Sequence, residues 1–554
     1  MLSRRRTLLA LASLGLLGCR RAPQPHSGPA TGPATGPGAS DATLLLANIH
    51  TNDPGKPRAE AMLIRAGQIA AVGSRAELDT ASAKLLDWRD ATVIPGLTDA
   101  HAHLLGLGQS REIVDLRGAA SVAEIITRLE EHAPPEGWIL GRGWDQNLWG
   151  GAMPTAAALD EAFGERPVWL RRIDGHAGWA SSAVLQLAKI DASTADPEGG
   201  ELLRDPASKA ATGVLVDAAM DLVPVPEPSP ADLERWLRAA TREAASLGLT
   251  GVHEMGLGAH AHAVFERLAR TGELPIRVHG YAGEGWFTAG LDQLGPTPVT
   301  PEARYLLAGV KLYADGALGS RGAALIEPYA DRPEHRGALM HPPEQFVELV
   351  RAISARGLQV ATHAIGDLGI RTILDAYAHN QLGRPRVEHV QIIDLADIPR
   401  MAELGVIASM QPTHATSDMP WAPERVGPER IAGAYAWRRM LDAEIPLAFG
   451  SDFPVEQPSP LLGLHAAVTR QDLAGQPAGG WLPDQRLSMA EAIAAFTSGA
   501  AFAAGREAHL GRLAPGFRAD ITCLERDPLT VDPRELPGLR IRATLVDGEL
   551  AFEG

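Results

Sequence analysis

The sequence predicts an α/β protein: a (β/α)8 TIM barrel, a small β-sandwich domain formed from both chain ends, and a large insertion after the first barrel strand. Three observations carry this. Short apolar runs alternate with amphipathic helical stretches over most of the 554 residues, and eight such runs can be assigned. β-rich segments recur at both ends. The stretch from about residue 105 to 247 is too long for a simple strand-to-helix connection.

In chain order, residues 1–18 read as a signal peptide outside the fold. Arg4, Arg5 and Arg6 precede an apolar run over 8–17 that is too short for a permanent membrane span. Leu16-Leu17-Gly18-Cys19 resembles the lipobox of bacterial lipoproteins, whose cysteine is lipidated and becomes the mature N-terminus. Ser3-Arg4-Arg5-Arg6-Thr7-Leu8-Leu9 is similar to a twin-arginine export signal. The expected product is exported to the cell envelope by that route and lipid-anchored to a bacterial membrane only through Cys19. An ordinary secretory signal cleaved nearby is the alternative. Residues 19–41 add a tether rich in Pro, Gly, Ala, Ser and Thr.

Residues 42–94 read as short strands, with a hairpin turn at Ala66-Gly67. Residues 506–554 return to that pattern, and pairing of the two ends would make the sandwich. Residues 95–505 hold the barrel. Its strands are the run ending at His103, then 250–253, 276–279, 310–313, 359–363, 386–389, 406–410 and 446–450. Stretches 344–356 and 395–404 are amphipathic at helical spacing. The insertion is expected to carry its own helices and to cover part of the barrel mouth.

The formal charge is −16, and −19 once Arg4, Arg5 and Arg6 leave with residues 1–18. Such a surface repels phosphate backbones, so nucleic acid is excluded as a partner. Cys19 and Cys523 cannot make a disulfide framework or a cysteine-rich zinc site. Cys523 reads as a small core residue.

Asp99-Ala100-His101-Ala102-His103 ends the first run. Strand side chains at i and i+2 share a face, so His101 and His103 project together. They do so at a strand's C-terminal end, where barrel enzymes keep their chemistry. Lys311, His363, His389 and Asp452 occupy the ends of later strands. Four imidazoles and a carboxylate suit zinc or a similar transition metal. Each histidine alone reads more simply as structural; their recurrence at successive strand ends favours ligation. Lysine occurs only at 56, 84, 189, 209 and 311, among 51 Lys plus Arg. Burial of Lys311 would favour its neutral amine, which can take up carbon dioxide as a carbamate able to bridge two cations. An ion pair with Asp315 or another carboxylate is the alternative. His260-Ala261-His262 has the same spacing as the first pair but a helical pattern, which points the two rings apart; no metal role is assigned there.

These motifs are similar to those of the amidohydrolase superfamily, in the branch that includes N-substituted formamide deformylases. The resemblance rests on Pro95-Gly96-Leu97-Thr98-Asp99-Ala100-His101-Ala102-His103, Val310-Lys311-Leu312-Tyr313-Ala314-Asp315-Gly316, Thr362-His363-Ala364-Ile365-Gly366-Asp367, Val387-Glu388-His389 and Gly450-Ser451-Asp452-Phe453-Pro454. Gly141-Arg142-Gly143-Trp144-Asp145 and Asp174-Gly175-His176 match within the insertion. It covers nearly everything after the tether.

The resemblance implies a metal-dependent amidohydrolase that cleaves a non-peptide amide C–N bond, linear or cyclic, such as an N-substituted formamide or N-acyl amine. It implies two divalent metal ions, of zinc type, bridged by carbon dioxide held as a carbamate on Lys311. His101, His103 and Asp452 would hold the more buried ion, and His363 and His389 the second. A metal-bridged hydroxide would attack the carbonyl, with Asp452 carrying its proton to the leaving nitrogen. His414 and His176 are candidates for oxyanion stabilisation, with pocket-lining or structural roles the alternative. Trp144, Asp145 and Arg321 are candidates for substrate contact, Arg321 through a carboxylate or else in a structural ion pair. The expected partner is a small-molecule substrate, and a homodimer is compatible with the chain. The competing readings are an ester, lactone or phosphoester hydrolase on the same site and a non-catalytic substrate-binding lipoprotein.

Overall fold

A computed structural model describes residues 42–78, 83–197, 199–290, 294–380 and 383–554. The signal, Cys19 and tether readings lie outside the described residues.

Eight parallel strands form one sheet in strict chain order: β1 Leu97–Ala102, β2 Leu249–Leu257, β3 Arg277–Gly283, β4 Tyr305–Tyr313, β5 Gln359–Ala364, β6 Arg386–His389, β7 Ile407–Met410 and β8 Leu447–Phe449. All eight expected runs fall on them. The sheet nearly closes on itself, because the Asp452 N–H just past β8 donates to His101 O on β1 at 2.8 Å. Helices between the strands cover the outside, each burying one stripe. Helix Pro343–Ser354 buries Phe346, Val350 and Ile353 at helical spacing. Helix Pro230–Ser246 starts on a Ser229/Asp232 capping box with Pro230 in its first turn. It buries Leu233, Leu237 and Ala244. Each fully buried leucine of this kind is worth about 2 kcal/mol.

The chain ends join in one continuous seven-stranded mixed sheet that folds over on itself, so that Ile64 and Ile69 near one edge share an apolar cluster with Ala543 and Leu545 near the other. Its order is Glu549–Glu553, Ile541–Val546, Ile521–Leu524, Lys84–Pro95, Ala42–His50, Arg58–Arg65, Gln68–Gly73. Alternation lets that sheet serve two cores. Val93 and Cys523 pack in its own apolar cluster, whereas their neighbours Ile94 and Leu524 pack against the barrel.

The apolar run over 91–97 is split between the two sheets at Gly96. A Cβ there would lie 2.2 Å from Thr250 Oγ1, so only glycine fits where the chain passes from one sheet to the other.

The insertion holds a six-stranded sheet as well as helices. Its strands lie between Val114 and Asp217, with helices Val122–His132, Ala156–Phe163 and Ser182–Leu187 against it. It has apolar clusters of its own. Helix Pro230–Ser246 packs on helix Leu104–Ser110 and returns the chain to β2.

Candidate metal centre

The C-terminal ends of β1, β4, β5, β6 and β8 converge on a cavity of about 630 Å³ lined by His101, His103, Lys311, His363, His389 and Asp452. That is the size of a small-molecule site. Two of these residues hold non-glycine backbone at positive φ, His389 at 77° and Asp452 at 60°. Strain of this kind persists where surrounding structure enforces it.

The hydrogen bonds around the rings decide which nitrogen faces inward. His101 Nδ1 meets Glu388 Oε2 at 2.7 Å, His103 Nδ1 meets Met255 O at 3.0 Å, and His389 Nδ1 meets Gln411 Oε1 at 2.8 Å. Each Nδ1 therefore donates, and each Nε2 is left with its lone pair toward the cavity. Metal-ligating histidines are oriented in this way. Burial keeps the rings of His101, His363 and His389 neutral, as ligands must be. His101 is lowered to about 4, by burial first and by Lys311 second, against the pull of Glu388. His363 and His389 are held well below the ordinary histidine value, again chiefly by burial.

Asp452 completes the set. His103 Nε2 lies 3.0 Å from Asp452 Oδ1 and His101 Nε2 lies 3.7 Å from it. Burial raises the Asp452 carboxyl, but the imidazoles of His103, His101 and His414 outweigh it and hold the group well below the ordinary value. Asp452 Oδ1 nevertheless has no aligned hydrogen-bond donor among the described residues, and His414 Nε2 is likewise unpaired there. Buried polar atoms left unpaired are costly. Donor atoms of His101, His103 and Asp452 lie within 4.8 Å of one another, as do those of His389, His414 and Asp452. The orphaned Asp452 oxygen and the inward lone pairs of His101, His103 and His389 make a nitrogen/oxygen donor set that fits divalent cations.

Lys311 is buried with Nζ 3.3 Å from His101 Nε2. Its ammonium is pushed down to about 8, by burial first, against the attraction of Glu388 and Asp452. The Asp315 alternative does not arise. That carboxylate instead accepts from the N–H groups of Ala324, Ile365 and Gly366.

The remaining candidates separate. His363 lines the cavity with its ring 4.6 Å from that of His389. Its Nε2 is directed to Gly316 O at 3.3 Å, and its nitrogens fall outside both donor groups. His414 Nδ1 faces the Gln391 amide nitrogen at 3.1 Å, so Nδ1 accepts and Nε2 carries the hydrogen, 3.6 Å from Asp452 Oδ2. His176 lies in the cavity wall, with Nδ1 on Asp217 at 2.6 Å. Burial lowers its pKa, but Asp217 and Asp174 prevail and raise it. Asp145 lines an adjoining cavity, where it holds Arg172.

Trp144 and Arg321 are corrected. Trp144 is fully buried in the core of the insertion and donates Nε1–H to Leu170 O at 2.8 Å. A register irregularity between Arg142 and Trp144, with Gly143 at φ 111°, turns the indole away from the face Arg142 occupies. Arg321 sits in a turn at φ 63° that aims it at Asp331, 2.8 Å away, and it lines neither cavity.

The supporting residues were not singled out by sequence reasoning. Arg386 and Glu388 share one face of β6 and pair at 2.8 Å, which fixes the carboxylate that orients His101. Asp99 accepts from His101 N–H and from Ser451 Oγ, and so ties β1 to the segment carrying Asp452. The i, i+2 spacing of Arg386 and Glu388 was the available signal.

Comparison with known proteins agrees with this geometry. The model of the Amidohydrolase family matches residues 84–552. YtcJ of Bacillus subtilis (strain 168) is 34% identical over 520 residues, covering 90% of this chain and 96% of its own. An N-substituted formamide deformylase of Arthrobacter pascens is 31% identical over 548 residues, covering 93% and 98%. The crystal structure of an uncharacterized metal-dependent hydrolase from Pyrococcus horikoshii OT3 superposes with a TM-score of 0.73 at 30% identity, covering 89% of this chain and 99% of that one. With a family match over most of its length, and with candidate metal-binding histidines and an aspartate gathered where the barrel strands end, the chain belongs to the amidohydrolase family of metal-dependent hydrolases.

Proposed function

We propose that the chain hydrolyses the C–N bond of a small non-peptide amide. The observation that carries this reading is the convergence of His101, His103 and His389 Nε2 on Asp452 beside a buried lysine, in a cavity sized for a small molecule. The relative named as an N-substituted formamide deformylase supports the choice of bond.

Zinc is the metal this donor set suits. His101, His103 and Asp452 would hold one ion and His389 and His363 the other, with Lys311 between them. When bound, the ions supply Lewis acidity and lower the pKa of water. The neutral Lys311 Nζ would take up carbon dioxide with loss of one proton, and the resulting carbamate would supply two anionic donor oxygens. Asp452 Oδ1 accepts the proton of the attacking water and delivers it to the leaving nitrogen. That delivery matters more for an amide than for an ester, because an unprotonated amine leaves poorly. His414 Nε2–H and His176 Nε2, the latter anchored through Asp217, would donate to the carbonyl oxygen as it gains charge.

Elemental analysis of purified protein should return about two divalent metals per chain, and Lys311→Ala should lower that content. One equivalent, unchanged in Lys311→Ala, removes the bridged site. Metal-loaded protein should turn over members of a panel of N-substituted formamides, N-acyl amines and cyclic ureides. Turnover confined to the matched esters and lactones overturns the amide reading.

A further inference from the structure

The insertion's sheet walls one side of the metal cavity and brings two arginines to it. Arg142, on strand Ile139–Trp144, and Arg171, on strand Val168–Arg172, are register partners on adjacent parallel strands. Register partners leave the sheet on the same face, and both side chains line the cavity that holds His101, His103 and Asp452. Like charges in such positions repel, and among the described residues no carboxylate forms an ion pair with either one. Arg171 has no hydrogen-bond or ion-pair partner among the described residues. Arg142 makes one bond, from Nη2 to Ile173 O at 3.1 Å, and its buried Nε has no partner among the described residues.

The neighbouring groups show that this is not the local habit. Arg172, next in sequence, spends its donors on Gln146, Asp174 and Asp145. Other acids of the same cavity are engaged elsewhere: Asp217 with His176, Glu284 with His341, Glu254 with the Leu104 N–H and Asp174 with Arg172, while Asp452 faces His101 and His103. Asp221, exposed at the rim, attracts Arg171 without an ion pair between them. Arg142 is pulled down to about 10, by burial first and by Arg171 second, against the attraction of Asp452 and Asp174, and so remains a cation at neutral pH. Two adjacent guanidinium groups, facing a cavity with most of their donors unused, match the planar two-oxygen geometry of a carboxylate.

We propose that Arg142 and Arg171 form an anion subsite, and that the substrate is a small amide carrying a carboxylate away from the scissile bond. The proposal rests on the amide reading for the identity of that bond alone. Met220, Met255 and Met340 in the same cavity would contact the apolar part of the molecule.

The test measures binding, apart from turnover. Calorimetry on metal-loaded protein compares 4-phenylbutyrate with 4-phenylbutanol, neither of which can be hydrolysed. The carboxylate is expected to bind about tenfold more tightly. Arg171→Gln and Arg142→Gln should each remove most of that preference, and Arg171→Lys should keep part of it. Arg171 is exposed and unpartnered among the described residues, so its replacement strands no buried group. Equal affinities in the wild type overturn the subsite. So does a preference untouched by the arginine variants, which would assign the carboxylate to the metals. Amide turnover without the arginine-dependent preference removes the subsite and leaves the amide reading standing. The preference without amide turnover does the reverse.

Discussion

At the N-terminal end of the barrel, Arg277 on β3 donates to both oxygens of Asp520, to Asp547 and to the carbonyls of Glu302 and Ala303. Asp547 in turn takes Arg304 and Arg518. At the C-terminal end, Asp452 is as buried and as surrounded by nitrogen, yet its Oδ1 finds no aligned donor among the described residues and His414 Nε2 finds no acceptor. Both clusters place charge in the interior, where an unpaired ion costs several kcal/mol. The first recovers that cost within the protein and holds the terminal sheet to the barrel. The second offsets it through the imidazoles of His103, His101 and His414, yet leaves polar atoms without aligned partners among the described residues. Burial alone does not separate a structural cluster from a site; the count of unmet donors and acceptors does.

Substitutions at the two ends should therefore have opposite signatures. The largest effect on turnover is expected from Asp452→Asn, a loss of about 10²–10⁴-fold with the melting transition nearly unchanged. Full activity in the Asp452→Asn variant breaks the assignment of the proton carrier. Asp520→Asn should do the opposite, costing roughly 3–5 kcal/mol of stability by stranding part of the buried Arg277 while kcat is kept. The pH dependence sharpens this. Burial raises the Asp520 carboxyl, but Arg277 prevails and holds it below the ordinary carboxylate value. The unfolded chain then takes up that proton first as pH falls. The stability contributed by this pair is complete above about pH 4 and is lost below it, and urea midpoints of the variant should lack that component. The smallest effect belongs to Arg321→Ala, whose partly exposed pair with Asp331 is worth about 0–1 kcal/mol. An increase in KM there would restore it to the substrate site.

The barrel is legible in the sequence because short apolar runs alternate with helical stretches, and β1, β4, β5, β6 and β8 carry a polar residue at or just past their mouth ends. His101 and His103 follow from strand alternation, and His260 and His262 fall on helix Ala259–Arg270, as their surroundings suggest. The carboxylate that selects the His101 tautomer is not legible in this way, since Glu388 lies 287 positions away. Trp144 marks a second limit. Alternation would put it on the face of Arg142, and one irregular residue at Gly143 reverses it. The insertion's sheet is obscured for a related reason: its strands are interrupted by glycines such as Gly141 and Gly143, and their pairing partners are not periodic.

The strand that passes through Gly96 also sets an order in time. Leu97 N–H donates to Thr522 Oγ1, 425 residues later in the chain, and Gly96 N–H donates to Asp520 O. At about 5–20 residues per second, the ribosome finishes His101 and His103 tens of seconds before it makes the strand that holds β1 in register. His101 and His103 are thus made early and seated late, and a nascent chain released short of residue 520 would carry all the cavity's histidines and Asp452 without the clasp that aligns the first two.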